Sequence, residues 1–444
     1  MLTVLLREHA RTRGNSVFLR SGRRAVGYAE LLAAVSLTAD RLADAAGLAL
    51  GFVADDVIEA VTFVLAACEA GAEPCLYPGG DRQAAIDAAG RFGQVVLEFT
   101  RTGELAVAGV GSARPAAADP AVLLEPSIAI LTSGTTGPPK ATRHRVGNLV
   151  ASATGGGGQA GARWLLAYNI NQYAGLQVLI HALATGAELV IPDTIAPAAA
   201  MAAMAEHPVT HVSATPTFWR MLLALLPGHA APVAELRQIT IGGEPVADPL
   251  LRELRLRFPA ARISHVYATS EIGSSVAVSD GRAGLPASIL ERGAADPVEF
   301  RIVAGELQAR SRVGMFGYHG AAGVAGDWIA TGDLVELRGD RLYFVGRIGS
   351  VINVGGVKVY PLPVEDAIGA VPGVELVRVY GRPNPVTGRI VAAEVVAARD
   401  HDPAALRRAV TAACAVLPEA ARPRLVKIVD SLSIVQNKMD RRNK

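Results

Sequence analysis

Between Tyr28 and Gly47 the apolar positions Tyr28, Leu31, Leu32, Val35, Ala39 and Leu42 return on one face at helical spacing, which predicts a helix that Gly47 stops. The apolar run "LGFVA" follows and reads as a strand, and "VIEAVTFVLAACEAG" after it reads as a second helix. The alternation recurs through "IAIL", "RWLLAYNI", "AELVIP", "THVSAT", "RQITI" and "RISHVYAT", with helical stretches between most of them. Strands alternating with helices predict parallel sheets covered on both faces. After about Asp280 the pattern changes to strands without helices, in "VEFRIVAGELQARS" and "DLVELRGDRLYFVG", the second turning at Gly339-Asp340. From Arg347 a shorter mixed pattern begins, running through "LPVEDAIGAV", "VELVRVYG" and "RIVAAEVVAA" to a helix in "DPAALRRAVTAACAVL" and a strand in "RLVKIVDSL". This predicts a small α+β domain of about 100 residues behind a larger α/β one.

Composition narrows the picture only modestly. With 50% hydrophobic and 19% charged residues among 444, the chain can bury a sizeable core and wholesale disorder is excluded. Lys plus Arg number 43 against 41 Asp plus Glu, a balance that argues against nucleic acid as a dedicated partner. Three cysteines without CxxC spacing offer no disulfide framework, and the nine histidines form no HExxH cluster. The opening "MLTVLLREHARTRG" breaks into charge after six residues, and no stretch reaches the roughly 18 apolar residues of a membrane span. A cytoplasmic location without membrane attachment is the expectation.

The chemistry concentrates in short segments. In "LTSGTTGPPK", the hydroxyls of Thr132, Ser133, Thr135 and Thr136 stand among Gly134 and Gly137, whose bare backbone leaves N–H groups uncovered, and Lys140 closes the run. Such a ring of donors suits phosphate oxygens. The spacing is not the GxxxxGK[ST] of P-loop NTPases, and in a generic chain the same composition would be a solvated turn. Further along come "IGGEP", "HVYATSEIG", "WIATGDL", "FVGRIGSVINVGGVKVYPLPVED" and "LSIVQNKMDRR".

In this order the segments resemble the motifs of the adenylate-forming superfamily, which includes acyl-CoA synthetases, adenylation domains of nonribosomal peptide synthetases and luciferases; the resemblance is nearest to acyl- or aryl-CoA ligases. It spans Thr132 to Lys438, most of the chain. It implies an α/β fold with a large N-terminal domain, residues 1–346, of parallel-rich sheets flanked by helices plus a distorted β-barrel-like part. A small mobile α+β C-terminal domain, residues 347–444, is expected to close over it. By resemblance, Thr132 to Gly137 with Lys140 hold the ATP phosphates, Gly242, Gly243, Glu244 and Pro245 form the adenine-side loop, and Tyr267, Ala268 and Thr269 continue it. Ser270 would contact the α-phosphate, Glu271 would hold Mg²⁺, Asp333 and Arg347 would take the ribose hydroxyls, and Lys438 would be the catalytic lysine. Gly349 falls on the hinge, while Gly355 and Gly356 fall on the loop lining the thiol tunnel. Five departures stand out: Ala141, Ala268, Gly349 and Asn437 replace the usual glycine, glycine, acidic residue and glycine, and Ser270 replaces threonine.

The acid pocket is expected in "NINQYAGLQ", lined by Gln172, Tyr173 and Gly175 with Ala268. Relatives that activate α-amino acids place an aspartate there to pair the ammonium, and none occurs between Asn169 and Gln177. The expected substrate is therefore a carboxylic acid, small or aromatic, activated by ATP with release of pyrophosphate and transferred to CoA. Two alternatives stay open: delivery to a carrier protein, an amine or another nucleophile, or activation of a small inorganic acid such as nitrite; and an inactive adenylate-binding protein.

Overall fold

The computed structural model describes residues 1–110, 124–132, 140–154, 161–226, 235–321, 326–399 and 401–440. Helices and strands alternate as their periodicity predicts. The helix Tyr28–Arg41 ends before Gly47, and a short 3₁₀ turn, Ala43–Ala45, carries the chain on to it. "LGFVA" lies in the strand Ala49–Ala54. The helix Val57–Glu69 starts at Asp56, whose side chain accepts from the Ile58 and Glu59 N–H groups and so caps two orphan donors. Its Phe63, Val64, Leu65, Ala66 and Ala67 are all buried, the signature of a helix enclosed on every side.

Two large sheets organise the N-terminal part. One has eight strands, with a parallel middle running through Arg163–Leu166, His211–Ala214, Gln238–Gly242 and Arg262–Thr269. The other has seven, with parallel pairing among Ala49–Ala54, Glu73–Pro78, Val95–Phe99 and Ser127–Thr132. One apolar core, from Leu2 to Ile191, joins residues of both. The region expected to be free of α-helices forms a five-stranded antiparallel sheet, Leu285–Pro286 through Arg341–Arg347, with Gly339-Asp340 at the tight turn between Arg338 and Arg341. The small C-terminal domain has a three-stranded sheet, the helices Pro361–Gly369 and Pro403–Ala413, and a core of its own around Val364, Ile368 and Val395. The cysteines carry no disulfide: Cys75 and Cys414 are buried and Cys68 half-buried, and burial pushes the Cys68 and Cys75 thiols up to about 12. Among the described residues no helix is long and apolar enough to cross a membrane.

Parallel strands deliver their carboxyl ends to one edge, where ligands of open α/β sheets collect. Gln238–Gly242 ends at the Gly242 loop and Arg262–Thr269 at Ser270 and Glu271.

Candidate active site

Thr132 and Lys140 face each other across the antiparallel pair Ser127–Thr132 and Lys140–Arg145, and the Thr132 hydroxyl donates to the Lys140 carbonyl at 3.3 Å. Ser133, Gly134, Thr135, Thr136 and Gly137 lie outside the described residues. The base of the loop is anchored by Glu73, a fully buried carboxylate that accepts from Arg143 Nε at 2.9 Å and from the Ser127 hydroxyl at 2.6 Å. Lys140 Nζ stands 5.0 Å from the centre of the Tyr318 ring, and the Tyr318 hydroxyl donates to Glu271 Oε1 at 3.4 Å. One ring therefore separates and orients the lysine and the carboxylate. Burial, with the Glu271 charge adding to it, pushes the Tyr318 phenol up to about 12, so it remains a donor. Sequence reasoning passed over Tyr318, whose strand Gly317–Tyr318 pairs with Thr142 and Arg143 from far away in the chain.

The strand Arg262–Thr269 shifts register between Tyr267 and Ala268, a bulge that re-aims the residues at its end. The Tyr267 hydroxyl donates to Asp333 Oδ2 at 2.9 Å, and Arg347 Nε pairs with Asp333 Oδ1 at 3.2 Å while its Nη2 donates to the Thr331 carbonyl at 2.8 Å. Burial raises the Asp333 carboxyl above its usual range, against the opposing pull of Arg347 and of the Tyr267 hydroxyl. Three residues assigned to the nucleoside thus form one contiguous group. The Thr269 hydroxyl accepts from the Ile272 N–H at 3.1 Å and so holds the turn that presents Ser270 and Glu271.

Lys438 sits on a two-strand hairpin, Ile434–Val435 against Lys438–Met439. Its turn residues, Gln436 and Asn437, have φ of 54° and 57°, the left-handed pair of a type I′ turn. The hairpin inserts beside the Gly242 loop. At Gly243, with φ of 83°, a Cβ would stand 3.0 Å from Lys438 Cε and 3.2 Å from Nζ. Desolvation holds the Lys438 ammonium below the usual lysine range; the Glu244 carboxylate opposes this and Arg347 adds to it. Glu244, expected on the adenine side, uses its carboxylate to tie elements together: Oε1 accepts from Met439 N at 3.0 Å and Oε2 from Thr217 N at 3.2 Å. Pro245 follows it, exposed.

In the acid segment, Gln172 precedes the helix Tyr173–Thr185 and its amide donates to Gln436 Oε1. Tyr173 is buried, its hydroxyl accepting from Ser274 N at 3.1 Å and from Gln177 Nε2 at 3.2 Å, and its ring lies 5.3 Å from that of His144. His144 is fully buried, and burial lowers it to about 4, opposed by the Ser270 backbone. Ala268, partly buried, pairs with Ser274 in the same sheet edge. Gly175 packs the helix tightly on the chain before it: a Cβ there would meet the Asn169 carbonyl oxygen at 2.2 Å.

Gly349 lies in a 3₁₀ turn, Ile348–Ser350, that Ser350 closes by accepting from Arg347 N at 3.0 Å and donating to Arg347 O at 2.9 Å. Gly355 and Gly356, at φ of 58° and 89°, form the exposed turn between the strands Ile352–Val354 and Val357–Val359. The structure thus brings together the Tyr267, Asp333 and Arg347 group, the Gly243 and Lys438 pair, and the Lys140, Tyr318 and Glu271 group, and leaves the Gly355-Gly356 turn in solvent.

Residues 93–319 match the family described as AMP-binding enzyme, and residues 363–438 match the AMP-binding enzyme C-terminal domain. The chain is 30% identical over 284 residues to the 2-succinylbenzoate–CoA ligase of Bacillus velezensis, a stretch covering 58% of this chain and 56% of that protein. It thus spans little more than half the length of that curated relative. With a probable 2-succinylbenzoate–CoA ligase of Mycobacterium tuberculosis it shares 30% identity over 331 residues, 69% of this chain and 80% of that protein. The fold matches the anthranilate CoA ligase AuaEII in complex with anthranoyl-AMP at a TM-score of 0.82 and 18% identity, covering 98% of this chain and 95% of that one.

Proposed function

The chain belongs to the AMP-binding enzymes, and from that premise we propose that it activates a small or aromatic carboxylic acid with ATP and passes the acyl group to the thiol of CoA. The observation that carries this reading is the Lys438 ammonium set against Gly243, within electrostatic reach of the nucleoside group. Arg347 acts on Lys438, pairs with Asp333, and Asp333 holds Tyr267; Glu271 acts on Asp333 in turn.

In the first step a carboxylate oxygen of the acid bonds to the α-phosphorus, the bond from that phosphorus to the bridging oxygen breaks, and its electron pair leaves with pyrophosphate. Two anions must meet, so the site has to neutralise charge where they do. Lys438 supplies an ammonium at the reacting centre, Lys140 faces the departing pyrophosphate, and Asp333 with Arg347 fixes the ribose. The oxygen donors of Glu271, beside the Tyr318 hydroxyl, suit a hard cation, and Mg²⁺ bound there would neutralise phosphate oxygens. Residues 1–346 carry the nucleotide and acid sites, and residues 347–444 form the lid that brings and removes Lys438. For the second step the lid turns at Gly349 and presents Gly355 and Gly356 to the thiol, whose sulfur bonds to the acyl carbon as it loses its proton to solvent, while the bond from that carbon to the phosphate oxygen breaks and AMP leaves with the electron pair.

An aromatic acid is favoured because similar proteins are named for 2-succinylbenzoate and anthranilate, and because no aspartate between Asn169 and Gln177 could pair an α-ammonium. ATP–pyrophosphate exchange across a panel of aliphatic, aromatic and α-amino acids, with mass spectrometry after CoA is added, tests the reading. Exchange with an aromatic acid followed by its CoA thioester is expected. Silence across the whole panel, or exchange with α-amino acids alone, overturns it.

A further inference from the structure

The residue before Lys438 does more than turn the chain. Asn437 occupies a left-handed position where glycine is the permissive choice, and asparagine is among the few side chains that tolerate it. Its amide is buried, at 6% exposure, and Nδ2 donates to the Ile195 carbonyl at 2.6 Å and the Ala167 carbonyl at 3.3 Å. Its own carbonyl accepts from the Thr215 hydroxyl, which also caps the helix Pro216–Leu225 by accepting from Phe218 N at 3.0 Å. On one side of it Gln436 meets Gln172 from the acid segment, and on the other Met439 N meets Glu244. Met439 is buried beside Leu376, Val396 and Leu432, with Met221 of the N-terminal part packed against them.

We propose that Asn437 is a positioning residue that latches the lysine hairpin into the cleft, and that Gln172 completes the latch from the acid side. The proposal rests on the reading of Lys438 as the reacting ammonium and deepens it. Lys438 is the next residue in the chain, so fixing the Asn437 backbone and side chain fixes where the ammonium begins. A glycine at 437 could form the turn but neither side-chain bond. When the lid turns away, the Asn437, Thr215, Gln172 and Glu244 contacts break together, so they set the fraction of time the lysine spends in place. The acid segment contributes directly through Gln172, which makes lysine placement responsive to what occupies the neighbouring pocket.

The chain has five lysines, Lys140, Lys358, Lys427, Lys438 and Lys444, so trace acetylation by acetic anhydride, read by mass spectrometry, can follow each one in the folded protein without substrate. Asn437→Gly keeps the turn unstrained and removes both bonds, and two bonds of ordinary net strength correspond to about tenfold in population. Lys438 labelling is expected to rise about tenfold relative to Lys427, with Lys358 and Lys427 unchanged. Asn437→Asp, isosteric but unable to donate, should raise it at least as much, and Gln172→Ala about threefold. The pH at which Lys438 becomes half-reactive should also move up toward ordinary lysine in both Asn437 variants, as the hairpin leaves the desolvating cleft shared with Glu244 and Arg347. Parental labelling in both variants overturns the latch, and so does a uniform rise at all five lysines, which would mean general loosening. Because labelling needs no turnover, a failed exchange panel would count against the reaction and leave this result standing on its own.

Discussion

Two hairpins in the C-terminal part share one turn geometry and differ in everything around it. Gly355 and Gly356 turn one; Gln436 and Asn437, equally left-handed, turn the other. The glycine turn is exposed, and a Cβ at Gly356 would meet nothing within 4 Å. Two bonds hold it, one from Gly356 N to the Asn353 side-chain oxygen at 2.8 Å and one from Gly355 N to the Thr387 carbonyl at 2.9 Å, both within the same domain. The Gln436-Asn437 turn is instead bonded to Ala167, Ile195, Thr215 and Gln172, far away in the chain. Turns that share left-handed φ values thus sit in opposite surroundings: one is bare of side chains and exposed, the other carries side chains that hold it. The conformation described is the one in which the lysine hairpin is engaged and the glycine hairpin is free.

The comparison breaks most visibly if Lys438 is dispensable. Lys438→Ala should lower pyrophosphate exchange by about 10²–10³, as loss of one charge-stabilising donor does, while ATP binding measured by calorimetry stays within a few-fold. Equal exchange in variant and parent would remove the lysine hairpin from the chemistry. Next in size is Gly243→Ala, which forces a side chain into a left-handed position at a cost of about 1–2 kcal/mol and presses on Lys438 Cε. Exchange should fall by about tenfold or more, with the thermal midpoint little changed.

On the other hairpin, Gly356→Ala carries only the backbone penalty, since its surroundings are open. It should leave exchange unaltered and slow thioester formation by about three- to tenfold; slowing of both steps alike would erase the distinction between the turns. The finest test uses pH. The folded site holds Lys438 below its ordinary range, so the ammonium is present at low pH and is lost as pH rises through that lowered value, earlier than for a free lysine. Exchange should therefore decline on the alkaline side below the normal lysine range. Lys438→Arg, slower but permanently charged, should lose that decline, and Gly356→Ala should keep it.

Much of the scaffold was legible because burial writes itself into periodicity. The helix Val57–Glu69 and the strands Gln238–Gly242 and Arg262–Thr269 fall where apolar runs and turn residues put them. Gly339-Asp340 closes its hairpin as a local signal should. Tyr267, Asp333 and Arg347, which the resemblance assigns to the nucleoside, are joined through Asp333. What remained hidden depends on partners distant in sequence. Tyr318 gains its place between Lys140 and Glu271 only through strand pairing with Thr142, and Glu244 reaches Met439 across 195 positions. Thr215 did offer a hint, as a threonine before a proline at a helix start, but nothing local says that its hydroxyl also faces Asn437. Gly175, expected in the acid pocket, also has a packing reason that no local pattern announces: its bare Cα lets the helix close against Asn169.

The native thiols are shielded, with burial holding all three above the usual cysteine range. A single new cysteine at exposed Val435 would therefore be the fastest site for a maleimide dye at neutral pH, with no need to strip the background first. Fluorescence from that dye could then clock the departure and return of the arm in real time.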